Sequence, residues 1–293
     1  MRYPAFVHWA GFLLPDFTEY EKRAAGSEQD MRLREEIEDY TQIRIGSSQN
    51  IFLLICHAIS ESLAENTKVL NGTIKADFIQ KCKNATEFLD IIKNTSDKYS
   101  ESITFRPFLG IDTNKENNLS LATMVLDSGL FAGIELYGER YAEMPEKFLS
   151  IFNTARKKGI ETRLSCLGFR NMKNFDDVFD LVQLLCPSCF LNPNTAVGRD
   201  YLGVYKDGKV SQETIAFVKD NNIRLEFSPA PTLSAHNAEQ KAFAIRQALD
   251  NDIPLSLCTE DMLFMNKSIS AFAADLCNLG VFSQEEVVQI ISN

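Results

Sequence analysis

From residue 100 onward, short apolar runs of strand length alternate with longer amphipathic segments. The runs are rich in Ile, Leu, Phe and Val, and Gly, Pro, Asn or Asp residues bound them. Such alternation is typical of parallel strands that are buried on both faces and connected by helices. The predicted strands are 103–111, 132–138, 162–167, 194–198, 224–228 and 254–259.

The segments between these runs have helical periodicity. Phe148, Ile151, Phe152 and Ala155 share one face of a helix that we expect to stop at 157–159. Further helices are predicted at 178–185, 212–220, 242–249 and 270–279, with stops at 251–252 and 280.

The first hundred residues are less regular. We predict strands at 5–10 and 68–75, helices at 51–63 and 76–92, and a charged helix or excursion at 28–40. The two early strands and the six later ones make eight, so we predict a (β/α)8 TIM barrel. A doubly wound open sheet is the alternative. The chain shows no linker or repeat, so one domain over 1–293 is expected.

Composition excludes several classes of function. The 293 residues carry a net charge of −10, which argues against a nucleic-acid binder because such proteins need a basic face. No run approaches 18 apolar residues, so we expect no membrane span. Seven cysteines, an odd number spread over a large chain, are typical of reduced thiols and a cytoplasmic protein. The oligomeric state is left open.

The chain has only three histidines, His8, His57 and His236. This count nearly excludes a metal site built mainly from histidine. His57 lies in an apolar helical stretch and is interpreted as a packing or surface residue. His236 is predicted to lie on an exposed loop. Asp112, at the end of a predicted strand, is expected to bond amides of the following loop.

Four sequence segments resemble motifs of the adenosine/AMP deaminase family of metal-dependent hydrolases, in the amidohydrolase-like superfamily. They follow the family's order, and the resemblance covers about 4–20 and 100–293. Residues 20–100 match poorly and are shorter than the family's lid-bearing region. The segments are GFLLP at 11–15, GIELYGE at 133–139, LEFSP at 225–229 and IRQALDNDIPLSLCTED at 245–261.

The resemblance implies a (β/α)8 barrel holding one zinc-like ion. In the family, this ion activates a water that attacks a purine ring carbon and expels ammonia. The metal lowers the pKa of the water, and a carboxylate moves the protons. The resemblance also implies that the ligand contacts lie at the carboxyl ends of the strands.

The chain departs from the family where the metal chemistry lies. Phe6 stands in place of the first metal-binding His, and Ser165 in place of another. Arg199 replaces the catalytic His, and Glu260 replaces the metal-binding Asp. The segment at 165–168 also lacks the catalytic Glu. The positions that match the family are His8, as a metal ligand, Asp261, which orients substrate and water, and Gly138, a backbone contact to substrate.

We therefore expect a pseudoenzyme that binds a purine-like or other small ligand without a cofactor. Asp261 and Arg199 are the candidate catalytic residues, and Gly138, Glu139 and Asp261 are the candidate substrate contacts. Because Arg199 brings a permanent cation, we expect an Arg–carboxylate cluster with Glu260 or Asp261 to replace the metal.

Two other functions stay open at this point. One is an active metal-dependent hydrolase of C–N bonds, similar to purine deaminases, whose remodelled site is built on His8, Glu260 and Asp261. His8 and Glu260 would be its zinc ligands, and His236 and Cys166 are further candidates. Cys166 is a weaker candidate for this site, because its neighbour on the strand holds the inward-facing position. The other is a scaffold that binds a macromolecule through its surface.

Overall fold

The protein is described here from a computed structural model. The structure describes residues 45–138, 140–164, 175–185, 195–199, 212–221, 223–227, 235–258 and 268–292. The predicted strand at 5–10 and the segment at 28–40 lie outside these ranges. No helix in the described ranges is long and apolar enough to cross a membrane.

A parallel sheet forms the centre of the described structure. It has seven strands, and their order in space follows their order in the sequence. All seven predicted strands that fall in the described ranges are confirmed, with ends that differ by a few residues. They are β1 Val69–Lys75, β2 Thr104–Asp112, β3 Gly133–Tyr137, β4 Glu161–Leu164, β5 Thr195–Arg199, β6 Arg224–Phe227 and β7 Leu255–Leu257.

Helices connect successive strands, as the alternation predicts. Short 3-10 helices also occur at Ala76–Lys81 and Pro145–Lys147. The α-helices are α1 Ser48–Ala64, α2 Ala85–Tyr99, α3 Asn118–Leu126, α4 Arg140–Glu143, α5 Leu149–Lys157, α6 Phe175–Leu185, α7 Gln212–Asp220, α8 Ala235–Asp250, α9 Ile269–Asn278 and α10 Gln284–Ser292.

The predicted helix at 76–92 is wrong as a single element. A 3-10 helix follows β1 directly, and α2 begins only at Ala85. Cys82 has an extended backbone that ends the 3-10 helix, and the side chain of Asn84 caps the next helix. The Asn84 Oδ1 accepts a hydrogen bond from the Glu87 N–H at 2.9 Å. The Glu87 carboxylate accepts one from the Lys83 N–H, which lowers the pKa of Glu87.

The prediction that His236 lies on a loop is also wrong. Helix α8 begins at Ala235, seven residues before the predicted start, so His236 lies in its first turn. The apolar stripe used for the prediction begins only at Ala242. The residues before it are mostly Ala, Glu, Gln and Lys, which favour a helix by backbone propensity rather than by burial.

The two faces of the sheet have different chemistry. Side chains alternate between faces along a strand, so β2 directs Leu109 and Ile111 to one face and Phe108 and Gly110 to the other. Leu109 and Ile111 are fully buried in the core shared with the helices. The opposite face carries charged and small residues on several strands, a feature that the expectation of uniformly apolar strands did not include.

Candidate functional site

Contacts on the polar face join strands that are not neighbours in the sheet. Thr73 on β1 donates a hydrogen bond to Glu135 on β3, with 2.5 Å between Oγ1 and Oε2. Strand β2 lies between them and carries Gly110, where a Cβ atom would lie 2.7 Å from the Thr73 methyl group. In a flat sheet, strands two apart are separated by about 10 Å. Because the short Thr73 side chain still reaches Glu135 on β3, the two strands must be closer on this face than in a flat sheet. The sheet therefore curves toward its polar face.

A chain of alternating charges continues along this face. Arg106 on β2 bonds Glu161 on β4 at 2.7 Å. Arg163 on β4 bonds Glu226 on β6 at 3.0 Å. Arg224 lies between the two carboxylates, 3.6 Å from Glu161 and 3.8 Å from Glu226. Each pair joins oppositely charged groups, which offsets the cost of removing them from water.

Arg163 is the most enclosed cation of this network. Its side chain is 7% exposed and that of Glu226 is 9% exposed. The guanidinium carbon of Arg163 also lies 3.8 Å from the centre of the Phe108 ring, a cation–π contact. We refer to Arg106, Glu161, Arg163, Arg224 and Glu226 as the strand charge network.

Sequence reasoning missed the strand charge network. Glu161 and Arg163, and likewise Arg224 and Glu226, are two residues apart on their strands and so share a face. Two charged residues at this spacing, in or directly beside a predicted buried strand, were the signal from which the network could have been predicted. The Arg–carboxylate cluster that was expected consists of other residues. Its members Glu260 and Asp261, and the side chain of Arg199, lie outside the described part of the protein.

Gly138 lies at the carboxyl edge of the sheet, directly after β3. Its φ of +92° is a left-handed conformation that favours glycine. Thr113 follows β2 and is 5% exposed. Its N–H and its hydroxyl both donate to the Tyr137 carbonyl at 2.9 Å. A Cβ atom on Gly138 would lie 2.8 Å from the Thr113 Oγ1, so the two residues are in close contact.

The loop after β2 is held by a small charged cluster. Asp112 Oδ1 accepts a hydrogen bond from the Asn114 N–H at 3.0 Å, which confirms the predicted role of Asp112. Burial raises the pKa of Asp112, against the effect of that hydrogen bond. Lys115 Nζ lies 2.6 Å from Asp77 Oδ2 and 3.8 Å from Asp112 Oδ2. These contacts tie the loop to the turn after β1.

The described residues at this edge do not fit a divalent metal ion. The carboxylates of Asp77 and Asp112 already share Lys115 as their cation. Within the ranges that the structure describes, no three His, Cys, Asp or Glu side chains are grouped as a metal site would require. The candidate metal ligands His8 and Glu260 lie outside those ranges.

Of the remaining predicted residues, some lie within the described ranges and some lie outside them. Arg199 ends β5, and its backbone lies opposite Glu226 on β6, next to a shift in strand register between Val197 and Arg199. Glu139 and Cys166 fall outside the described residues. His57 lies on α1, which confirms the predicted helical stretch, and it is partly buried; burial lowers its pKa while Glu61 opposes that effect.

The sequence of this chain is similar to that of a known protein over nearly the whole chain. No protein-family model matches the chain. A Treponema pallidum (strain Nichols) protein with the provisional name adenosine/adenine deaminase is 22% identical over 291 residues. The match covers 97% of this chain and 89% of that protein.

Solved structures of similar fold are also deaminases and amidohydrolases. An Arabidopsis N6-mAMP deaminase has a TM-score of 0.67 at 15% identity, over 99% of this chain and 87% of its own. The adenine deaminase of Arthrobacter aurescens has a TM-score of 0.62 at 10% identity, over 99% and 93%. A Burkholderia ambifaria amidohydrolase with bound Zn has a TM-score of 0.52 at 12% identity, over 83% and 71%.

These comparisons confirm the resemblance to the adenosine/AMP deaminase family. The described parallel sheet with its helices is the α/β fold of these deaminases.

Proposed function

We propose that this chain is a deaminase-like barrel that binds a purine-like ligand and has lost the family's metal-dependent deamination. One observation carries the proposal. Phe6, Ser165 and Arg199 stand where the resembled family has histidines for metal binding and proton transfer. A catalytic zinc site needs three protein ligands, and His8 and Glu260 are the aligned candidates that remain.

The proposal includes closure of the sheet into a (β/α)8 barrel. Two features support closure: the parallel strands follow one another in sequence order, and the sheet curves toward its polar face. A strand at 5–10 would be the eighth and would join β1 to β7. It would also bring His8 to the carboxyl edge, where Gly138 lies.

Within this barrel, the proposed ligand contacts are the backbone of Gly138 and the side chains of Glu139 and Asp261. Arg199 supplies a fixed positive charge, with Glu260 and Asp261 as its carboxylate partners. The strand charge network joins β2, β4 and β6, which are the sheet neighbours of the strands that carry or precede these residues. A bound zinc ion would supply a hydroxide nucleophile near neutral pH, and His8 and Glu260 would be its protein ligands.

An active hydrolase is the second candidate, because the Treponema relative carries the name of a deaminase and matches nearly the whole chain. It would use His8, Glu260 and Asp261, with zinc as cofactor. The two candidates differ in ammonia release, not in purine binding, so one set of variants can separate them.

Purified protein incubated with adenosine, adenine or AMP, with and without added zinc, is expected to bind a purine and release no ammonia. Calorimetry measures binding, and a coupled assay measures ammonia. Asp261→Ala is expected to weaken binding roughly tenfold or more, because it removes a hydrogen bond between a charged group and the ligand. Asp127→Ala is the control, since Asp127 is an exposed carboxylate paired with Lys158. Ammonia release that Asp261→Ala abolishes would contradict the proposal and support the active hydrolase.

A further inference from the structure

We infer that Thr113 is a positioning residue that sets the direction of the Gly138 N–H toward the bound ligand. This inference rests on the proposed function, because it concerns the ligand contact at Gly138. The observation behind it is that two donors of Thr113, its backbone N–H and its hydroxyl, share one acceptor, the carbonyl oxygen of Tyr137. Both distances are 2.9 Å.

Because the peptide group is rigid, the direction of the Tyr137 C=O also determines the direction of the Gly138 N–H. The peptide bond between Tyr137 and Gly138 is planar and trans, so its C=O and N–H point in opposite directions. Thr113 holds the C=O on the side of β2. The N–H of Gly138 is therefore directed away from β2, toward the side of β4, whose last paired residue, Leu164, lies opposite Leu136. A hydrogen-bond acceptor on a ligand at the carboxyl edge would meet an N–H whose direction Thr113 has set.

Close packing makes the arrangement rigid. Because a Cβ atom on Gly138 would lie 2.8 Å from Thr113 Oγ1 and 3.1 Å from the Asn114 side chain, the loop lies directly against the glycine. The charged cluster of Asp77, Asp112 and Lys115 holds that loop from its other side. Thr113 therefore cannot shift without moving the peptide that precedes Gly138.

A structural role alone would make a different prediction. If Thr113 only extended the pairing of β2 and β3, removing its hydroxyl would lower stability and leave ligand affinity unchanged. The positioning role requires the direction of one N–H group, and hence affinity, to change. A measurement at the Tyr137–Gly138 peptide itself separates these possibilities.

The sequence allows this peptide to be observed alone. The chain has 8 tyrosines and 14 glycines, and the step from Tyr137 to Gly138 is its single Tyr-Gly pair. Labelling Tyr with 13C at the carbonyl and Gly with 15N therefore gives one cross-peak in a carbonyl–amide correlation spectrum. Its 13C frequency reports hydrogen bonding to the Tyr137 carbonyl, and its 15N and 1H frequencies report the Gly138 amide.

The variants are Thr113→Val, which keeps the shape and the backbone N–H but removes the hydroxyl, and Thr113→Ser, which keeps the hydroxyl. In the ligand-free protein, we expect Thr113→Val to move the 13C frequency and Thr113→Ser to leave it near the wild-type value. Adenosine and its deamination product inosine serve as probes. We expect Thr113→Val to weaken binding about fivefold to tenfold and Thr113→Ser less than about twofold, as for one neutral hydrogen bond.

Thermal unfolding of each variant accompanies these spectra, so that a loss of fold is recognised. If Thr113→Val binds adenosine and inosine as tightly as the wild type does, and ligand binding shifts the cross-peak of both proteins equally, the inference is overturned. The proposed function would not be affected by that result. If the wild-type chain binds neither adenosine nor inosine, the proposed function is contradicted, and the inference fails with it.

Discussion

Replacing Gly138 with alanine is expected to lower the free energy of unfolding by about 2–4 kcal/mol. Two costs combine at this position. An alanine with φ near +92° is strained, since its Cβ atom clashes with its own backbone. The same Cβ atom would lie 2.8 Å from Thr113 Oγ1, a buried atom that holds the Tyr137 carbonyl and cannot retreat easily. Urea-induced unfolding of the two proteins measures the difference.

Gly159→Ala is the matched control for this prediction. Gly159 also has a left-handed backbone, with φ of +66°, but nothing lies within 4 Å of the place where its Cβ atom would be. The control therefore contains the backbone strain without the clash, and we expect a loss of about 1–2 kcal/mol. Equal losses for the two variants would show that the contact between Gly138 and Thr113 is not tight.

Replacing Arg163 with methionine is expected to lower the free energy of unfolding by about 3–5 kcal/mol. The substitution keeps much of the side-chain volume but leaves the Glu226 carboxylate, 9% exposed, without its nearest cation. It also removes the contact of the guanidinium with the Phe108 ring. Arg224 lies 3.8 Å from Glu226 and can compensate in part, so we expect the lower end of the range.

Two further variants test the cause of this loss. Lys158→Met breaks the ion pair with Asp127, which is well exposed, and is expected to cost less than about 1 kcal/mol. Combining Arg163→Met with Glu226→Gln removes the uncompensated charge, so the double variant is expected to be no less stable than Arg163→Met alone. A double variant that loses the sum of the two single effects would show that the two groups are not coupled.

The sequence predicted the order of strands and helices well, because burial against a parallel sheet imposes a periodicity that can be read locally. The stripe of Ile151, Phe152 and Ala155 is an example, since all three are buried. The errors arose where local capping or propensity determined an element. The side chain of Asn84 divides the segment at 76–92, and favourable propensity extends α8 to include His236.

The candidate site was predictable in location but not in its contacts. The carboxyl edge of a parallel sheet is where ligands bind, so the position of Gly138 followed from its strand. The double hydrogen bond of Thr113 depends on the register of β2 against β3, which the sequence does not contain. The pairing of Arg163 with Glu226 requires two strands separated by a third to approach across a curved face, and no local pattern predicts which charges meet.

The strand charge network borders the backbone position of Arg199. Glu226, already paired with Arg163, lies in register with Arg199, the residue that replaces the catalytic histidine of the resembled family. The backbone of Arg199 therefore lies beside a strand whose Glu226 already has Arg163 and Arg224 as cationic neighbours.

The measurement that tests this account most directly is the zinc content of the full chain, purified without chelators and determined by elemental analysis. The account predicts zinc no higher than in a matched preparation of a protein without a metal site. It predicts the same for Glu260→Ala as for the wild type. One zinc ion for each chain, lost in Glu260→Ala, would contradict the account and favour the remodelled hydrolase.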